Sequence, residues 1–363
     1  MSMPIVPESA LATMTVHLDA IVDNYRTLKS KSSTADCAAV VKANAYGLGM
    51  VDVAPALYHD GGCEVFFVAN LREAVNLRSA LPKATIYVFN GTTEDQVKTI
   101  LDHNIRPALN DLSQIEIWKG RSAPCAIHFD TGINRLGLSH DEADQFFNDR
   151  PDLNISLVMS HFIQSEIAKH PSNEMQLDRF IRYRYQLPDA KASLCNSGGI
   201  YLGEDFHFDL LRPGIMLYGG NPGLPKRPDG LKHVFELYGR ILQIRHLKPG
   251  MAVGYNSLWT AAEEARIALV NVGYADGTFK TTDHKAQVFV GGHKASVIGK
   301  VSMDMIAIDI TDDKFKHVTV KDDVELLGAN ITLEMAAEVS TLGQYELLTG
   351  IGQRYNKKYI RGA

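Results

Sequence analysis

The chain has 363 residues, 45% hydrophobic and 22% charged, with a formal net charge of −5. That length allows two domains with large cores, and an acidic balance without a basic block argues against a nucleic-acid face. Cys37, Cys63, Cys125 and Cys195 form no CxxC pair and have no metal-ligand spacing, so no metal site is expected. The stretch MSMPIVPESALATM lacks a basic n-region and an unbroken apolar h-region, and no apolar run reaches transmembrane length. A soluble, cytoplasmic protein that touches no membrane is therefore the expectation.

In chain order, residues 11–18 (LATMTVHL) alternate as a strand does. From residue 37, short apolar runs alternate with longer amphipathic segments. The runs are CAAVVK (37–42), EVFFVAN (64–70), ATIYVFN (84–90), RPALN (106–110), PCAIHFD (124–130), ISLVMSH (155–161), KASLCNS (191–197) and FDLLRPG (208–214). Segments such as VDVAPALYHD, LREAVNLRSAL, TEDQVKTILDH and NEMQLDRFIRYRYQL carry apolar residues at helical spacing. Such alternation indicates βαβ units and a parallel sheet, and eight strands favour a closed (β/α)8 barrel over an open sheet. No glycine-rich phosphate motif of the dinucleotide or P-loop type is present.

Near residue 237 the pattern becomes period two: RILQIRHL, ARIALVNVGYA, AQVFVGGHKASVIG and MIAIDITD. Gly291-Gly292 predicts a hairpin turn, and TLEMAAEVS (332–340) predicts a helix. The expected organisation is α/β, with a barrel over 12–236 and a mostly β domain over 237–363. The N-terminal strand, within about residues 1–18, is a candidate to join that second domain.

The eight runs end on Lys42, Asn70, Asn90, Asn110, Asp130, His161, Asn196 with Ser197, and Arg212. In a (β/α)8 barrel the C-terminal strand ends open onto one face, which carries the active site. A lysine held there, partly out of water and near other cations, becomes a nucleophilic amine. Its commonest use in that state is a Schiff base, to a carbonyl substrate or to pyridoxal phosphate. Arg212, the amides of Gly214 and Ile215, and the hydroxyls of Tyr46 and Ser197 supply groups suited to a phosphate.

The stretch VKANAYGLG resembles the pyridoxal-lysine signature of the alanine racemase family. DTGINRLG, SHFIQSE, the Asn196-Ser197 pair, RPGIMLYG, VGYADG, GKVSMD and YELLTGIGQR are similar to further family motifs, in family order. The resemblance implies a barrel carrying pyridoxal phosphate, a C-terminal β domain, and a homodimer in which each β domain completes its neighbour's site. It implies racemisation of alanine, supplying D-alanine for peptidoglycan or degrading it. A broader-specificity racemase or a decarboxylase on the same scaffold, a non-catalytic pyridoxal-phosphate carrier, and a plain barrel enzyme whose lysine binds a sugar carbonyl are the alternatives.

Carried over position by position, the resemblance implies that Lys42 holds the cofactor and is one base, with Tyr274 as the opposite base. Racemisation needs both, since the α-proton leaves one face and returns on the other. His161 would tune Tyr274, and Arg212 would meet the pyridine nitrogen. Arg135 and the Met303 amide would bind the substrate carboxylate, with Asp304 in support. Tyr46, Ser197, Gly214, Ile215 and Tyr345 would hold the phosphate. Leu48 stands where the signature has histidine, and GTFK (277–280) replaces the usual aromatic-proline-basic sequence. His128 stands in place of a lysine whose carbamate braces the arginine matching Arg135 in many relatives. A neutral imidazole taking a hydrogen bond from Arg135, directly or through water, or a small anion such as chloride, is expected there.

Overall fold

The structure, a computed structural model, describes residues 11–277, 286–340 and 342–362. It divides into two compact units at Leu18/Asp19 and Lys232/His233.

The first unit, Asp19–Lys232, is the expected barrel. Seven parallel strands follow one another in sequence order: Ala39–Val40, Val65–Val68, Thr85–Val88, Arg106–Leu109, Cys125–His128, Ile155–Met159 and Lys191–Ser193. Among the described residues an eighth, Leu210–Leu211, pairs with Asp36–Cys37, the start of the first strand. Bonds from the Ala38 and Val40 amides to the Leu211 and Pro213 carbonyls close one seam (2.8 and 3.0 Å). Bonds from Asp209 to Ala192 and from Arg212 to Cys195 close the other (both 3.0 Å). The strand residues Phe66, Phe67, Ile86, Ala108, Ala126, Ile127, Leu157 and Val158 are fully buried, which is why these runs read as continuous apolar stretches and not as alternation.

Helices Met50–His59, Leu71–Ala80, Val97–Asp102, Leu112–Trp118, His140–Asp149 and Pro171–Tyr185 lie between the strands. Their starts follow local chemistry. Asn70 accepts from the Glu73 amide at 3.1 Å, Asp111 from Gln114 at 2.9 Å, and Ser139 with Glu142 forms a capping box. Asn70, one of the polar strand ends, is thus a helix cap.

The second unit joins residues 11–18 to those from His233 onward. Ala12–His17 pairs antiparallel with Phe235–Leu247 and parallel with Asn356–Ile360, inside an eight-stranded sheet. The 13-residue strand Phe235–Leu247 also pairs with Ala265–Val270 and Asp323–Leu327, shifting register between Ile241 and Gln243. Val290 and His293 flank the two-residue turn Gly291-Gly292, whose φ values of 57° and 81° suit glycine. The helix expected over 332–340 forms at Leu333–Val339, capped by Thr332. Among the described residues no helix is long and apolar enough to cross a membrane.

Candidate active site

On the barrel unit, Lys42 follows directly on the first strand, whose ladder continues through the Val41 amide to the Phe67 carbonyl (2.9 Å). The next turn is left-handed. Ala43, Asn44, Ala45 and Tyr46 have φ of 52°, 57°, 53° and 53°. For residues with a Cβ this conformation costs on the order of 1–2 kcal/mol each, and such strain concentrates at functional sites. Specific bonds hold the turn. Glu73 accepts from the Ala43 and Ala69 amides (2.7 and 2.8 Å), and Asn44 Oδ1 accepts from Met50 (2.9 Å). Tyr46 stacks on Tyr218 at 4.8 Å, and the Tyr218 hydroxyl donates to the Val40 carbonyl (2.8 Å).

Burial first, and then the Arg135 guanidinium, pull the Lys42 pKa down, while Glu73 opposes them. The ammonium lies 5.6 Å from the Phe89 ring centre. Arg212 is 2% exposed and held by Ser193 Oγ and the carbonyls of Ser160 and Leu194. Burial pulls its pKa down to about 10, so it stays a cation at neutral pH. His161 is driven well below its usual range by burial and by Arg212, Arg135, His128 and Lys42. The residue still meets some solvent, but protein packs densely around the ring and governs its titration. Arg135 is exposed, within the segment Asp130–Gly137.

Ser197 Oγ accepts from the Gly214 amide (2.9 Å) at the start of the short helical turn Ile215–Tyr218. A Cβ at Gly214 would lie 2.5 Å from the Tyr46 hydroxyl, so glycine is required for this approach. Tyr46, Ser197 and Gly214 thus come together, with Ile215 next in the chain. Leu48 is fully buried, an apolar packing residue where the signature has histidine.

His128 is 5% exposed, and its Nδ1 lies 2.8 Å from Asn110 Oδ1. Its Nε2 has no partner among the described residues, so no direct bond from Arg135 forms. Burial first, and then Arg212 and Arg135, push its pKa down to about 3, leaving the ring neutral. A further polar cavity of about 540 Å³ is lined by residues from the N-terminal ends of the strands. Several of its groups are already paired: Lys191 with Asp36 at 2.6 Å, and Arg106 with Tyr87 at 3.1 Å.

The β unit holds Tyr274, Met303, Asp304 and Tyr345. Tyr274 begins the turn Tyr274–Asp276, and its amide donates to the Ser302 carbonyl while the Ala275 amide donates to Met303 (both 3.0 Å). A Cβ at Gly273 would fall 2.3 Å from the Met303 carbonyl, so glycine permits the two loops to touch. Arg354 clamps them. Its Nε and Nη2 donate to the two carboxylate oxygens of Asp276, and its Nη1 to Asp304, each at 2.7 Å. Asp276 is 3% exposed and also accepts from the Gly273 amide (2.9 Å). Tyr345 sits in the helix Gln344–Thr349, just before the segment carrying Arg354. Of GTFK only Gly277 is described; 278–280 lie outside the described residues.

Sequence reasoning overlooked Asp276, Arg354, Glu73 and the pairing of Asn110. The first two stand inside GYADG and TGIGQR, so motif membership was the available signal. Their contact spans 78 residues and is not legible locally.

A parallel barrel with a desolvated lysine beyond its first strand, in a chain whose β unit carries a tyrosine loop, defines a lysine-centred barrel enzyme. Residues 16–222 match the model for the alanine racemase N-terminal domain, and residues 234–359 that for its C-terminal domain. Alanine racemases of Rickettsia peacockii and Rickettsia conorii are each 42% identical over 362 residues, covering 97% of this chain and 99% of theirs. The structure of alanine racemase from Bartonella henselae with covalently bound pyridoxal phosphate superposes with a TM-score of 0.91 at 39% identity, covering 97% and 100% of the two chains. The biosynthetic alanine racemase of Pseudomonas aeruginosa gives 0.88 at 33%, covering 96% and 99%. The chain belongs to the alanine racemase family.

Proposed function

We propose that this chain interconverts L-alanine and D-alanine, with pyridoxal phosphate held covalently on Lys42 and with Lys42 and Tyr274 as the two bases. The observation that carries the reading is Lys42 itself, an amine whose pKa is lowered by burial and by Arg135, in a chain that matches both domains of one racemase family.

The donor set fits the cofactor. A desolvated primary amine suits an aldehyde. The Ser197 hydroxyl, the Tyr46 hydroxyl and the close-approach glycine at Gly214 make a cradle suited to a phosphate, with Ile215 beside them and Tyr345 from the β unit. Arg212, buried and charged at neutral pH, would be the partner for the ring nitrogen; a guanidinium donates a hydrogen bond but does not readily give up its proton. When bound, the cofactor supplies an electron-withdrawing ring that acidifies the α-proton of the amino acid it carries.

With its amine freed once the substrate amine takes its place, Lys42 would take or return that proton at Nζ on one face, and Tyr274 would do so at its phenolic oxygen on the other. Neutral His161 accepts a hydrogen bond and tunes the tyrosine. The guanidinium of Arg135 would meet the cofactor's phenolic oxygen and bind the substrate carboxylate, shared with the Met303 amide, and Asp304 holds that loop through Arg354.

The active form is a homodimer with composite sites. In the β unit Tyr255, Leu258, Tyr274, Met303, Met305 and Tyr345 are between 41% and 67% exposed, an apolar surface suited to a second copy. The protein works in the cytoplasm and supplies D-alanine for peptidoglycan or degrades it. A cofactor carrier without catalysis has no use for the matched C-terminal domain.

The test is an assay of purified protein with pyridoxal phosphate against a panel of L- and D-amino acids. Alanine is expected to react fastest in both directions. Bound cofactor without α-proton exchange from any amino acid would overturn the reading, and equal rates on larger side chains would identify a broad-specificity racemase.

A further inference from the structure

His128 ends one barrel strand and Asn110 directly follows its neighbour Arg106–Leu109, and their hydrogen bond has a fixed polarity. Asn110 Nδ2 is 2.9 Å from the Phe89 carbonyl oxygen and 2.8 Å from that of Ala108. Carbonyl oxygens only accept, so the amide nitrogen must occupy that side and Oδ1 must face the imidazole. Oδ1 also only accepts, so the proton of the 2.8 Å contact belongs to His128 Nδ1. A second proton, on Nε2, would create a cation in a place already opposed by burial, Arg212 and Arg135. His161 is coupled to His128, Arg212, Arg135 and Lys42, and Lys42 in turn to Glu73. Nε2 is therefore a bare lone pair, buried and without a protein partner among the described residues.

We propose that Asn110 is a positioning residue that locks His128 in the Nδ1–H tautomer, so that Nε2 is a standing hydrogen-bond acceptor for the Arg135 guanidinium, through an intervening water. This rests on the reading of Arg135 as the residue that binds the substrate carboxylate. A buried acceptor without a donor is destabilising, which favours a donor there. Arg135 is the fitting source. It lies in electrostatic range of His128, His161 and Lys42, and no hydrogen bond occupies it among the described residues. The same lone pair repels anions. A chloride or a carbonate therefore finds no donor at Nε2, and the sequence alternative of a small anion in this place is disfavoured.

Two measurements on the intact enzyme test this. In long-range 15N–1H correlation spectra of histidine-labelled protein, with His128 identified by its loss in His128→Gln, the ring should show a protonated Nδ1 and a bare Nε2. A protonated Nε2 in the parent enzyme overturns the proposal, and so does an anomalous peak at Nε2 in bromide-soaked crystals. In Asn110→Ala the lock is gone. The Nε2–H form should then appear, and KM for alanine should rise about tenfold while kcat changes less than about threefold, as loss of a bond that orients a carboxylate-binding group requires. The expected tautomer in the parent with unchanged KM in Asn110→Ala overturns the positioning role. The spectra need no substrate, so they stand or fall apart from the assignment of Arg135.

Discussion

The candidate residues of the barrel unit and those of the β unit are held by opposite means. On the barrel rim, His128 and Arg212 are almost fully buried. Desolvation is the largest cause of the shifts at Lys42, His128, His161 and Arg212. On the β unit, Tyr274, Met303 and Tyr345 are 43%, 53% and 43% exposed, and order comes from backbone bonds and the Arg354 clamp. A group that must change its protonation chemistry needs to be taken out of water. In the β unit the side chains are held instead by the backbone of their loops and by the Arg354 clamp on Asp276 and Asp304.

The comparison breaks most severely at Lys42. Lys42→Ala should abolish racemisation in both directions, a loss of at least ~1,000-fold, and borohydride should fix the cofactor to Lys42 in the parent. Label on another lysine would displace the assignment. Next in size is Tyr274→Phe, which removes the phenolic hydroxyl proposed as the second base. L-to-D turnover should fall by ~100- to 10,000-fold, while α-proton exchange from D-alanine through Lys42 falls far less. Equal loss from both enantiomers would mean that Tyr274 is structural or that one base serves both faces.

A smaller effect is expected at the clamp. Arg354→Met should lower kcat/KM by about 10- to 100-fold through misplacement of Tyr274 and Met303, with a lower Tm. The imidazole spectra of the barrel should not move. Arg354→Lys, which keeps a charge but not the fork, should fall between the two. If Arg354→Met has full activity, the clamp does not position the tyrosine.

The smallest effect is a pH dependence confined to the buried side. The folded-state pKa of His128 is about 3 against 6.5 unperturbed. Between those values the unfolded chain holds the extra proton, so stability rises with pH across this window and is lost as pH falls through it. Between about pH 6.5 and 5 the parent should lose about 2 kcal/mol more than His128→Gln. His161 has the same sign of shift and remains in both proteins, so denaturant titrations of the pair isolate His128. Parallel curves would show that His128 is not held neutral.

Much of this architecture was legible in the chain. Eight apolar runs alternating with helical segments became the barrel because a strand buried on both faces must be continuously apolar. Period-two stretches after residue 237, the Gly291-Gly292 turn and the helix at Leu333–Val339 followed from equally local rules. Lys42 stood out because an amine at the end of an apolar strand is a polar group in a costly place.

The remainder belongs to tertiary structure. Nothing in the Ala-Asn-Ala sequence calls for a left-handed turn at 43–46; Glu73, thirty residues on, accepts from its first amide and stabilises it. The tautomer of His128 depends on Asn110, 18 residues away, and on the carbonyls of Phe89 and Ala108 that orient that amide. Asp276 and Arg354 meet across 78 residues. The sequence by itself determined which segments are strands and helices and which residues can do acid–base chemistry, because those follow from periodicity and side-chain type. Which atom carries a proton, and which charge meets which, was decided only when distant strands came together, because hydrogen-bond polarity and burial are properties of neighbours in space.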